Sequence, residues 1–116
     1  MLYIGFNPRE ITAYEYIRDL EKSPHKALTP EDVRMMLRAP HTSCCAREDK
    51  CILDIIRHRF DIDISIPITP FRHSLRRGDR VIIIVVANIR RLEYWDSYTR
   101  EDLRKARIFF RLYTIQ

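Results

Sequence analysis

The residue types with chemical potential gather in two stretches of this 116-residue chain. The first runs His41-Thr42-Ser43-Cys44-Cys45-Ala46-Arg47 and is followed by Cys51 and His58. Three thiols and two imidazoles within eighteen residues raise the question of zinc. Against it, there is no Cys-x-x-Cys, adjacent Cys44 and Cys45 point in different directions, and the spacing fits no common zinc finger. The expectation is therefore no metal, with the cysteines as buried core thiols. The same stretch offers an alternative in anion chemistry. Backbone N–H groups at a helix start, the Thr42 and Ser43 hydroxyls and the Arg47 guanidinium would together make a phosphate-binding corner. A hydroxyl that only caps the helix, beside a solvated Arg47, has the same appearance in sequence.

The second stretch is Arg76-Arg77-Gly78-Asp79-Arg80, seven apolar residues from Val81 to Ala87, then Asn88-Ile89-Arg90-Arg91. The apolar run reads as a strand buried on both faces and hence central in its sheet. At about 3.3 Å per residue it holds Arg80 and Arg90 roughly 30 Å apart, so the two arginine groups belong to opposite ends of the sheet. Other chemistries find no support. With only Gly5 and Gly78 there is no glycine-rich phosphate loop, and no serine sits in a nucleophile elbow. His25, His58 and His73 lie in or beside charged stretches and read as surface residues.

The elements that must position these groups follow from local signals. Leu2 to Phe6 reads as a short strand. Asn7-Pro8-Arg9-Glu10 then starts a helix of about three turns that ends near Ser23-Pro24. A link over His25 to Leu28, with room for an optional short strand, leads to Thr29-Pro30-Glu31-Asp32, the same start chemistry, with a stripe of Val33, Met36 and Leu37. Residues 47 to 60 carry Ile52, Ile55, Ile56 and Phe60 on one helical face. Ile62, Ile64, Ile66 and Ile68 alternate with polar residues as a one-sided strand, restricted by Pro67 to an edge or a strand end. Thr99-Arg100-Glu101-Asp102 starts a last helix, and Ile108 to Ile115 reads as the closing strand. The fold class is α/β (α+β): one domain over residues 1–116, a mixed sheet of about five strands with helices packed against it.

Composition sets the broad class. The net charge is +5, and the basic residues are 17 Arg and 4 Lys, which suits bidentate contact with phosphate or carboxylate but also an ordinary solvated surface. Amides are confined to Asn7, Asn88 and Gln116, as in proteins from hot habitats. No segment approaches the ~18 apolar residues of a membrane span, and the first residues lack a signal-peptide pattern. The expectation is an intracellular, soluble protein without a membrane partner.

These pieces resemble a family of small archaeal-virus proteins that includes the viral ring nucleases, anti-CRISPR enzymes that open cyclic tetra-adenylate. The likeness is carried by Gly78-Asp79, the apolar central strand, the Asn88 to Glu93 turn, Thr99-Arg100-Glu101-Asp102 and Leu112-Tyr113-Thr114-Ile115-Gln116, with a looser match over Thr42 to Phe60 and Met1 to Asn7. The resemblance implies a two-fold homodimer in the host cytoplasm, no cofactor, and a cyclic oligonucleotide held across the subunit interface. Arg47 stands where the family has its catalytic histidine, and an arginine cannot exchange a proton at working pH. Glu93 matches the family's glutamate and is the one acid–base candidate. Asn7, Ser43, Arg47, Asn88, Arg90 and Arg91 are the ligand-binding candidates. Two alternatives stay open: a non-enzymatic nucleic-acid-binding or scaffold protein using Arg72, Arg76, Arg77 and Arg80, and an enzyme in which His41 takes the missing histidine's role.

Overall fold

A computed structural model of the chain describes residues 1–69, 71–88 and 98–116. Five strands form one mixed sheet: β1 (Leu2–Gly5), β2 (His25–Leu28), β3 (Thr42–Ser43), β4 (Arg80–Ala87) and β5 (Arg107–Thr114), in the order β2-β5-β4-β1-β3. The apolar run is central, as its composition requires. β1 pairs with β4 in parallel, Leu2 opposite Arg80 through Gly5 opposite Ile83, and β3 extends the parallel set with Ile4 opposite Ser43. On its other side β4 runs antiparallel to β5 over its whole length, and β5 carries β2 at the far edge.

Strand alternation sends side chains to two separate cores, so helices cover both faces. Leu2, Ile4, Ile82, Ile84, Ile108 and Phe110 pack under α3 (Pro30–Met36), α4 (Lys50–Phe60) and α5 (Arg100–Lys105), which contribute Val33, Ile52, Ile56 and Leu103. Tyr3, Val81, Ile83 and Ile115 pack on the opposite face with Ile11 of α1 (Pro8–Ile11) and Leu20 of α2 (Tyr14–Lys22). Among the described residues, no helix is long and apolar enough to cross a membrane.

Local start signals were accurate guides. Asn7 accepts the Glu10 N–H at 3.0 Å, and Thr29 and Thr99 form reciprocal capping boxes with Asp32 and Asp102. Those bonds hold the carboxyls of Asp32 and Asp102 below their ordinary range. The helix expected over residues 8 to 22 is instead two, broken at Thr12. There the His73 N–H donates to the Ile11 carbonyl at 2.9 Å and the Thr12 hydroxyl donates to the His73 carbonyl at 2.5 Å. A distant segment thus takes over backbone groups that a continuous helix would use. His73 is consequently no surface residue: its ring lies 4.6 Å from Tyr3 and 4.8 Å from Phe71, and partial burial lowers its pKa.

Two strand expectations need correction and one optional strand is present. His25–Leu28 forms that optional strand, at the edge of the sheet, and Thr42–Ser43 is a short strand rather than part of a helix start. Residues 62 to 68 keep their alternation, with Ile62 and Ile64 buried, yet join no ladder. Pro67 removes a donor, and the Ser65 carbonyl is used by the Ser43 hydroxyl at 2.5 Å. The helix expected from residue 47 begins as a single 3-10 turn, Arg47–Asp49, before α4.

Candidate functional site

Three parallel strands, β4, β1 and β3, end on the same side of the sheet, the position where open α/β sheets place ligands. Beyond β1 the chain passes through Phe6 and Asn7 into α1; beyond β3 it passes through Cys44 and Cys45 into the Arg47–Asp49 turn. Gly5 permits the close approach of α1: a Cβ there would lie 2.9 Å from Ile11 Cγ1 and 3.1 Å from Glu10 Oε1.

That approach brings Glu10 against the turn after β3. Its Oε1 accepts the Phe6 N–H at 2.9 Å, and its carboxyl is hydrogen-bonded to Asp49. Asp49, itself buried, accepts the Ala46 N–H at 2.8 Å through Oδ2. Burial first, and then the bond to Asp49, push the Glu10 carboxyl up to about 9, overcoming the lowering by the Phe6 N–H. At neutral pH Glu10 therefore keeps its proton and donates it to Asp49. Ligand atoms of Glu10, Cys45 and Asp49 lie within 4.8 Å of one another. A divalent cation there would have to displace the shared proton and ionise Cys45, whose thiol burial drives upward.

The expectation for the thiols holds for two of three. Cys44 and Cys45 are buried and face opposite sides of the sheet, one in each core; burial, then the charge of Glu10, pushes the Cys44 thiol up to about 12. Neither supplies a thiolate nucleophile near neutral pH. Cys51 is exposed on α4, contrary to the core reading, because it lies on the side of the helix turned away from Ile52 and Ile56.

The candidate ligand residues are placed unevenly. Arg47 is exposed at the head of the 3-10 turn, directly beyond β3. Asn7 is at the head of α1, its side-chain oxygen already on Glu10 N–H. Ser43 is not available to an anion: it is buried, donates to the Ser65 carbonyl and accepts the Cys45 N–H at 3.3 Å. Asn88 terminates β4 in a left-handed conformation, φ 63°, and is exposed. β4 overruns β1 by four residues past Ile83, about 13 Å, so Asn88 is not level with Asn7. Arg90, Arg91 and Glu93 lie outside the described residues. His41 is half-buried, with Nδ1 2.9 Å from the Ala39 carbonyl.

At the opposite end of the sheet the basic turn is built around another buried carboxylate. Asp79 Oδ2 accepts the Arg76 N–H at 2.8 Å, while Gly78, at φ 91°, lets the chain double back and donates to the Ile115 carbonyl at 2.7 Å. Arg76, Arg77 and Arg80 are exposed there. Arg72 is not part of that group, since its Nε donates to the Arg9 carbonyl on α1 at 2.9 Å. The residues that sequence reading missed are Glu10 and Asp49, thirty-nine positions apart and joined only by the pairing of β1 with β3.

The architecture defines a small α+β protein with a mixed five-stranded sheet whose parallel strands end at a carboxyl pair, half-buried Glu10 and buried Asp49. Among solved structures it is similar to B116 of Sulfolobus turreted icosahedral virus, with a TM-score of 0.53 and 12% sequence identity over 97% of each chain. At that identity the likeness is one of fold. No family model and no curated protein matches the sequence.

Proposed function

We propose that the chain is an archaeal-virus protein of the ring-nuclease-like kind that binds a cyclic oligoadenylate, or a similar phosphate-rich nucleotide, at the carboxyl end of its parallel strands. The observation that supports this reading is the placement of Arg47. Its guanidinium stands exposed just beyond β3, on a turn whose backbone is tied down by Asp49 and, beneath it, by protonated Glu10. A rigid backbone lets an exposed arginine meet a phosphate with less ordering cost. A two-fold pair would present two copies of Arg47 and Asn7 to a ring with matching symmetry. Because an arginine side chain does not serve as a general acid or base, the activity we assign is binding, with Glu93 the one group by resemblance that could support slow turnover. Titration calorimetry with cyclic tetra-adenylate tests the reading. Binding that weakens at least tenfold in Arg47→Ala is expected, and absence of heat at high ligand concentration overturns it.

A second reading has its own support in the exposed Arg76, Arg77 and Arg80 at the other end of the sheet: binding of nucleic acid without sequence preference. Its affinity would fall by about one log unit per log unit of salt for each phosphate contacted. A flat salt response excludes it.

A further inference from the structure

A cavity of about 550 Å³ lies between α4 and α5, away from the strand ends. Its volume is within the roughly 300–1,000 Å³ of ordinary small-molecule sites. Among the described residues, four arginines line it, Arg57, Arg59, Arg100 and Arg104, with His58 beside them and Asp54 as the one carboxylate.

The two helices show that this charge is not a by-product of a uniformly basic surface. On α5, Glu101 and Lys105 form the expected i,i+4 pair at 3.7 Å. One position earlier, Arg100 and Arg104 have the same spacing with like charges, an arrangement that repels, and both line the cavity. On α4, Lys50 meets Asp54 at 3.7 Å, which engages the cavity's one carboxylate with a cation outside it. Among the described residues, Arg57, Arg100 and Arg104 have no carboxylate within ion-pair distance. Arg59 has a different task. Its Nη1 donates to the Ala106 carbonyl at 2.6 Å and its Nη2 to the Arg104 carbonyl at 2.7 Å, fastening the end of α4 to the α5–β5 junction. The walls are thus fixed relative to one another while three guanidiniums remain for a ligand. Ile55, Leu103 and Tyr98 supply an apolar and aromatic part of the same lining.

We propose that this cavity binds a small organic phosphate, its phosphate on Arg57, Arg100 and Arg104 and its flat body against Ile55, Leu103 and Tyr98. Arginines lining one concavity of this size suit a compact dianion better than the extended track a polymer requires. The site shares no residue with the Glu10–Asp49 cluster or with Arg47, so the proposal stands apart from the reading given above. Failure of cyclic tetra-adenylate to bind would leave it untouched.

The test is calorimetric titration of the full chain with adenosine monophosphate, uridine monophosphate and inorganic phosphate, at one fixed salt concentration. Both nucleoside monophosphates are expected to bind at least tenfold more tightly than inorganic phosphate. Arg57→Gln and Arg104→Gln should each weaken them at least tenfold. Arg100→Gln, at the exposed first turn of α5, gives the same answer should either of the others fail to fold by circular dichroism. Arg18→Gln, exposed on α2 across the sheet, should leave binding unchanged. The proposal is overturned if no probe binds, if the groove variants bind like the parent, or if inorganic phosphate binds as tightly as the monophosphates. It is equally overturned if a twelve-nucleotide single strand binds far more tightly than either monophosphate with a steep salt dependence.

Discussion

Two turns at opposite ends of the sheet use the same device with different surroundings. In each, a buried aspartate accepts the backbone N–H three residues before it at 2.8 Å: Asp49 from Ala46 and Asp79 from Arg76. In each, exposed arginines ride on the turn, Arg47 on one and Arg76 and Arg77 on the other. The difference lies in the second partner: the Met1 ammonium lies 3.2 Å from Asp79 Oδ1, whereas Asp49 meets Glu10. A second carboxyl packed against Asp49 converts a plain side-chain cap into a proton-sharing pair, while Asp79 has no such neighbour among the carboxyls described. The same backbone cap thus sits in one turn beside a second acid, where its integrity depends on a raised carboxyl, and in the other beside the Met1 ammonium.

The strongest way to break the comparison is Asp49→Ala. It removes the acceptor for Ala46 N–H and for the Glu10 proton in a buried setting, and we expect a loss of about 3 kcal/mol in urea unfolding. A loss below about 1 kcal/mol would place the two turns on an equal footing.

Glu10→Gln sharpens it. The folded-state pKa of Glu10 is raised from 4.5 to about 9, so between those values the unfolded chain has released a proton that the folded chain retains. Stability from this group is full below pH 4.5, falls as pH rises and levels off above about 9, with a slope of at most about 1.4 kcal/mol per pH unit. Glutamine keeps an acceptor for Phe6 N–H and a donor for Asp49 without ionising. The variant should lose most of that slope and gain steadily on the parent between pH 5 and pH 8. Denaturant titrations at pH 5, 6.5 and 8 read the effect; parallel pH profiles for variant and parent would remove the proton from the account.

Asp79→Ala should be milder than Asp49→Ala, about 1.5 kcal/mol for one buried cap and the partly exposed ion pair with the Met1 ammonium, and should leave the slope that comes from Glu10 intact. A flattened slope in that variant would mean that the two ends of the sheet are coupled.

What could be read from sequence divides along the range of the interactions involved. The β4 strand and the starts at Asn7-Pro8, Thr29-Pro30 and Thr99 are written within four to eight consecutive residues, and each was found where its residues put it. The segment from Ile62 to Ile68 carried as clear an alternation, but a strand exists only with a partner, and β3 offers two residues of ladder. The short edge strands were harder to read for the converse reason, β2 standing only as an optional strand and β3 missed, since their few residues show no periodicity and acquire strand geometry from β5 and β1. At the site, Glu10 was legible as the third residue of a helix start. In the fold it reaches back to Phe6 rather than to the cap residue, and sideways to Asp49. Gly5 was the signal for this: a strand that ends on glycine just before a helix marks a place where another backbone comes close.

The opposed orientation of Cys44 and Cys45 has a practical use. With Cys51 exposed and the other two sealed in different layers, a thiol-alkylating reagent added to the native protein should modify one position promptly. Later modification of the remaining pair would time the opening of each layer separately, making this chain its own two-channel recorder of how its halves come apart.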